Sequence, residues 1–227
     1  MKKIGLIGAM TSEITRFCED FCAIKTDVPG IWKGTLCDKE IYICESGVGK
    51  VNAAIAAQRL CDLFGVEAII NSGVAGGINE ALSKCDIVIS ERLTYHDFDP
   101  ISLLEKYPPY CEYTKADERL VALAEKACEE LFEKEGIGYF KGTVVSGDCF
   151  VSSSAKVREL RERFDAYCTE MEGAAIAHTA TVNKIPFVVI RAISDFADEA
   201  AEDSFESFEV KAARVAAYIV TGIIKEL

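Results

Sequence analysis

Cations are scarce in this chain. Its 227 residues hold 25 Lys and Arg against 37 Asp and Glu, a formal charge of -12. A surface with that balance repels phosphate backbones and anionic lipid, so neither nucleic acid nor a membrane is an expected partner. Histidine is scarcer still, with two residues. The ten cysteines are scattered without a Cys-x-x-Cys pair, and Cys18 and Cys22 find too few histidines to complete a zinc site, so no metal is expected. No apolar run is long enough to span a bilayer; Ile4–Met10 soon meets Glu13 and lacks the marks of a signal peptide. The expectation is a cytoplasmic protein whose thiols stay reduced and mostly serve as small buried hydrophobes. Low-complexity linkers and internal repeats are also missing, which argues against a second module.

What is present is apolar mass. Half of the residues are hydrophobic, enough for one substantial core and too many for a disordered chain. Strand and helix patterns alternate. Lys3–Gly8 reads as a buried strand, with Thr11 or Ser12 capping a helix towards Cys22. Ile31–Cys37 and Glu40–Ser46 read as strands, and Gly47–Lys50 as a glycine loop before a helix over Val51–Phe64. Glu67–Asn71 reads as a strand ending in a second glycine loop, Ser72–Gly77. Asp86–Ser90 is β-branched, and His96–Tyr113, with three prolines, reads as a long loop. Asp117 caps a helix to about Lys134; Tyr139–Ser146 and Asp165–Thr169 are strands. Ser152–Ser154 precedes a short charged helix to Arg163, and Glu172–Val182 is a small-residue helix. Pro186–Ser194 reads as a central parallel strand, and Asp203-Ser-Phe-Glu206 as a capping box opening a final helix to Lys225. The fold class expected is single-domain, three-layer α/β/α over residues 1–227, around a twisted, mixed and largely parallel sheet.

Ligands of such sheets gather at the carboxyl ends of strands. There the chain places Gly8-Ala-Met10 with Glu13, Asn71–Gly77, Ser146-Gly-Asp-Cys-Phe150, Glu170-Met-Glu-Gly173 and Arg191-Ala-Ile-Ser-Asp195. No Gly-x-Gly-x-x-Gly sits in a strand–turn–helix frame, and no Gly-x-x-x-x-Gly-Lys-Ser/Thr occurs, so neither a dinucleotide nor a P-loop site is expected. Glu13, Glu172 and Asp195 could each merely favour a helix start. Their convergence with Arg191 on one rim of the sheet points to chemistry.

Together with Ser46-Gly-Val-Gly-Lys-Val-Asn52 and Tyr95-His-Asp97, these blocks resemble the 5′-methylthioadenosine/S-adenosylhomocysteine nucleosidase family, within the wider purine nucleoside phosphorylase-like superfamily. They run in family order across nearly the whole chain. The resemblance implies hydrolysis of the N-glycosidic bond of an adenine nucleoside by water, without a cofactor, in a homodimer. It implies that Asp195, beside Ser194, protonates adenine N7, that Glu172 binds the ribose hydroxyls, and that Glu13 activates water with help from Arg191. Phe150 would stack on adenine and Val151 read its edge through backbone groups. Met10 and Met171 would pack at the ribose, Ala75 and Gly76 would line the site, and Phe205 would close over the purine. Two departures from the family pattern stand out. Val74 takes a position where serine is common, and Phe98–Glu105 places Leu103 and Glu105 where aromatic residues line the 5′ pocket. A phosphorylase, a catalytically dead nucleoside-binding protein and a nucleosidase for another 5′-modified adenosine remain the alternatives.

Overall fold

The computed structural model describes the backbone at all positions except 108, 110 and 200, and the side chains at all but those, 101 and 202–207. Strand β1, Lys3–Gly8, is buried from Ile4 onward. Helix α1, Thr11–Asp20, follows after two residues. Neither Thr11 nor Ser12 is its cap, as the sequence had suggested. Met10 occupies the cap position, and Glu13 Oε2 reaches back to accept from the N–H groups of Ala9 at 2.6 Å and Met10 at 3.1 Å. A carboxylate in the first turn satisfies two exposed donors at once, which a hydroxyl one residue away cannot do.

The remaining elements follow in order. Strands β2 (Ile24–Lys25), β3 (Ile31–Leu36) and β4 (Lys39–Glu45) precede α2 (Lys50–Arg59), which ends in a wider π turn at Leu60–Phe64. Then come β5 (Ala68–Gly77), β6 (Ile87–Tyr95), a 3-10 turn (Ile101–Lys106) and β7 (Thr114–Lys115). Helix α3 (Glu118–Glu135) starts at Asp117, whose carboxylate accepts from Leu120 N–H at 3.0 Å, as the sequence predicts. Strand β8 (Tyr139–Ser146), α4 (Ser154–Phe164), β9 (Ala166–Glu170), α5 (Gly173–Asn183), β10 (Phe187–Asp195) and α6 (Ala201–Glu226) complete the chain. Helix α6 begins before Asp203, so the expected cap lies inside it.

The strands form one mixed sheet. β4, β1, β5 and β10 run parallel in that order, while β3 and β2 extend it antiparallel beyond β4. On its other edge β10 pairs antiparallel with β6, so it is not flanked by parallel strands on both sides. β6, β8 and β9 then run parallel, and β9 returns antiparallel to β5. The circuit β5–β10–β6–β8–β9 therefore closes on itself. α1 and α3 pack against α6 on one side of the sheet, and α2 packs against α5 on the other. This is the single-domain α/β architecture expected. The fully buried Ile4, Leu6, Ile69, Ile70, Val188 and Ile190 supply its centre, each worth about 1.5–3 kcal/mol of burial.

Two further expectations fail. The glycine stretch 72–77 is not a loop but the second half of β5, buried at every residue, paired to β10 as far as Gly76 and to β9 at Gly76 and Gly77. Its glycines are spacers. A Cβ on Gly73 would lie 2.1 Å from Arg191 Nη1 and 2.4 Å from Glu13 Oε1. Nor are the cysteines mostly buried. Only Cys44, Cys85, Cys128 and Cys168 are, whereas Cys22, Cys37, Cys111 and Cys149 are exposed; Cys22 and Cys37 sit in turns with positive φ. All ten are free thiols.

Gly73→Ala should therefore push apart a buried ion pair. The expected cost is about 3 kcal/mol or more, read as a drop of roughly 6–12 °C in melting temperature. An unchanged melt would show that the approach at Gly73 is not limiting.

Candidate active site

The carboxyl ends of β1, β5, β9 and β10 open onto one cleft of about 180 Å³. Met10, Glu13, Ala75, Gly76, Phe150, Val151, Met171, Glu172, Ser194 and Asp195 all line it. Arg191 does not. It lies behind the wall, fully buried, and contacts the acids from beneath. Phe205 falls outside the described side chains.

Arg191 is the hub. Its Nη2 donates to Asn71 Oδ1 at 2.6 Å and to Glu170 Oε2, and lies 3.6 Å from Glu172 Oε2. Its Nη1 lies 3.9 Å from Glu13 Oε1. Glu170 is held further by Ser146 Oγ–H and by the N–H groups of Glu172 at 3.1 Å and Gly173 at 2.7 Å. Glu170, Asn71 and Ser146 were not singled out from the sequence. No local pattern separates Glu170 from Glu172: residues two apart in a strand share a face, and it is the turn out of β9 into α5 that parts the two carboxylates.

Glu13 is almost fully buried, and burial raises its pKa above the ordinary 4.5. Arg191 and three backbone donors, Val74 N–H at 3.0 Å with those of Ala9 and Met10, oppose that rise. Val74 thus serves through its backbone, whatever its side chain. Glu172, at the start of α5, accepts from Gly49 N–H at 2.9 Å on Oε1. Burial, and then the Glu170 charge, push it up to about 7 despite Arg191. Asp195 sits across the cleft, apart from this cluster. Its carboxylate accepts from Ser194 Oγ–H and Ala197 N–H, both at 2.8 Å. Burial raises its pKa above the ordinary 3.8 in spite of those two bonds. The β5–β10 register shifts between Ile193 and Asp195, the kind of irregularity that re-aims a strand's last side chains.

The arrangement therefore has two poles. One is Asp195, whose pKa burial raises, in a wall shared with the exposed aromatic ring of Phe150. The other is a pair of carboxylates, Glu13 and Glu172, sharing part of one guanidinium. No lysine or arginine is among the described residues that line the cleft.

A family model for the phosphorylase superfamily matches residues 3–225. Among solved structures, the 5′-methylthioadenosine/S-adenosylhomocysteine nucleosidase of Neisseria meningitidis in complex with methylthio-immucillin-A is similar with a TM-score of 0.93 and 36% identity, covering 100% of both chains. The corresponding nucleosidase of Colwellia psychrerythraea 34H in complex with adenine is similar with a TM-score of 0.92 and 34% identity, over 100% of this chain and 96% of that one. Futalosine hydrolase of Helicobacter pylori strain 26695 gives a TM-score of 0.91 and 33% identity, over 100% and 98%.

Arg191→Met should leave the acids uncompensated. A carboxyl whose folded pKa lies above its unfolded one favours the fold at low pH. For Glu172 that contribution is complete below about pH 4.5 and is lost as pH rises through about 7. Removing Arg191 raises Glu172 and Glu13 further, so the stability deficit should grow between about pH 5 and about pH 8, reaching roughly 3–5 kcal/mol. Urea unfolding at both pH values checks this; equal deficits would contradict it.

Proposed function

The chain belongs to the phosphorylase superfamily, and from that premise we propose that it hydrolyses the N-glycosidic bond of 5′-modified adenine nucleosides. Candidate substrates are 5′-methylthioadenosine, S-adenosylhomocysteine and 5′-deoxyadenosine, released as adenine and the 5′-substituted ribose. The observation that carries this reading is the cleft's two poles, Glu13 and Glu172 at one and Asp195 at the other, with the fourth lining acid, Glu170, taken up by Arg191 and the first amides of α5, and no cation among the described lining residues.

Cleavage of C1′–N9 leaves positive charge on the ribosyl group and negative charge on the base. Asp195, protonated at the apolar pole, gives its proton to N7 as the bond breaks. Phe150 stacks on the adenine, Val151 offers backbone groups to its edge, and Ala75 and Gly76 form the facing wall. Glu172 accepts from the ribose hydroxyls and stabilises the cationic sugar. Glu13 takes a proton from the attacking water, whose oxygen bonds to C1′. One proton leaves Asp195 and one reaches Glu13, so the site resets by a net transfer between them through solvent. Met10 and Met171 pack against the sugar. Arg191 holds Glu13 and Glu172 from behind.

Hydrolysis is favoured over phosphorolysis by charge. A phosphate beside Glu13 and Glu172 would meet two carboxylates at contact distance, a repulsion of several kcal/mol at an effective dielectric of about 20. Relatives named for methylthioadenosine and for futalosine bracket the 5′ specificity, and Phe98–Glu105 is the segment to distinguish them. Val51 and Ile55 on α2 and Val182 on α5 are exposed apolar side chains on two helices that pack together, and they are candidates for a homodimer face.

Adenine release from methylthioadenosine should proceed without added phosphate, and Asp195→Asn should lower kcat by about 10²–10⁴-fold. A strict phosphate requirement, or undiminished turnover in that variant, would reject the reading. A panel of nucleosides varied at 5′ and in the base should show faster cleavage of adenine than of inosine compounds.

A further inference from the structure

A charged knot lies beside the cleft, outside the reaction as described. Lys50 opens α2, and its Nζ is 2.6 Å from both carboxylate oxygens of Asp97, just past β6. The same ammonium lies 3.7 Å from Asp148 Oδ2, just past β8. Asp97 Oδ2 also accepts from Asp148 N–H at 2.8 Å, and Asp148 Oδ1 accepts from Lys50 N–H at 2.8 Å. Three separate connections are thereby tied at one point.

The tied loop reaches the site through Val48, which lines the cleft, and through Gly49, whose N–H donates to Glu172 Oε1. Gly49 has φ of +99°, and a Cβ there would lie 3.1 Å from Asp148 Oδ1. The peptide is thus turned left-handed and gripped at its next amide. Lys50 and Asp97 are 22% and 27% exposed. Pairs so accessible to water stabilise a fold little, yet this one fixes the direction of a single N–H.

We propose that Asp97, Lys50 and Asp148 are positioning residues that clamp the Gly49 amide and so aim the Glu172 carboxylate at the ribose hydroxyls. The proposal rests on the assignment of Glu172 to the ribose. Glu172 has charged neighbours on three elements, Glu13 from α1, Glu170 from β9 and Arg191 from β10. Gly49 supplies the neutral donor that sets its rotation. Without it the carboxylate swings between Arg191 and the cleft, and its proton is held more tightly.

Asp97→Asn and Lys50→Met, singly and together in the full chain, test this. The kcat/KM for 5′-methylthioadenosine should fall about tenfold to a hundredfold, with the acid limb of its pH profile moved to higher pH. The inhibition constant of adenine alone should not change, because adenine sits at the Asp195 pole. The double variant should be no worse than the weaker single one, since both act through the same amide. Melting temperatures read alongside separate this from general unfolding. Equal losses for nucleoside and adenine, a fixed acid limb, or additive defects would each overturn the clamp. If the unmodified protein releases no adenine from any nucleoside, the functional reading fails and the clamp with it. If it does and Asp97→Asn matches it in KM and pH profile, the clamp alone is wrong.

Discussion

The pairing of Arg191 with Glu170 sets the terms for Glu13 and Glu172, the two acids that share its end of the cleft. Arg191 heads the fully buried side chains by size, and a guanidinium removed from water costs several kcal/mol unless it is met by charge and hydrogen bonds. Glu170 and Asn71 meet it directly. Glu13 and Glu172 then have only what remains of one positive charge, at 3.9 Å and 3.6 Å. Burial raises the proton affinity of both, and the Glu170 charge adds to it for Glu172; what remains of Arg191 is too little to bring either back to the ordinary range. The fold maintains this because the arginine sits inside a strand, between partners on both edges.

The closed circuit of strands explains why the acids converge. β5 belongs both to the open sheet, through β1, and to the closed part, through β9 and β10. Strand ends from both parts meet above it. Glu13 arrives from the open side and Glu170, Glu172 and Asp195 from the closed side, over glycines of β5 of which Gly73 lets Glu13 approach Arg191 and Gly76 leaves room for Asp195.

Much of this was legible in the chain. The runs at Lys3–Gly8 and Tyr139–Ser146 and the cap at Asp117 depend on local pattern, and local pattern reveals them. The residues expected at the site are those at strand ends, and most of them line one cleft. What was illegible depends on distant partners. A glycine-rich run looks like a turn until β10 is seen to need its missing side chains. Glu170 looks like its neighbour Glu172 until Arg191 is placed beneath it. Cys22 and Cys37 look apolar, but each lies in a tight surface turn, whereas Cys85, also in a turn with positive φ, is buried, so turn geometry alone does not tell them apart. The direction of β6 against β10 rests on a chain reversal no residue pattern announces.

The start of α5 has a last consequence. Amides at the beginning of a helix ordinarily attract whatever anion is dissolved nearby. Here the N–H groups of Glu172 and Gly173 are taken by the carboxylate of Glu170, and that of Ala174 by the hydroxyl of Ser146 at 2.7 Å. The protein supplies its anion from its own side chain, so no diffusible ion has to be recruited or displaced in each cycle. A tethered counter-ion cannot be diluted away, exchanged for chloride or outcompeted, and the positive end of the helix is committed to architecture before any ligand arrives.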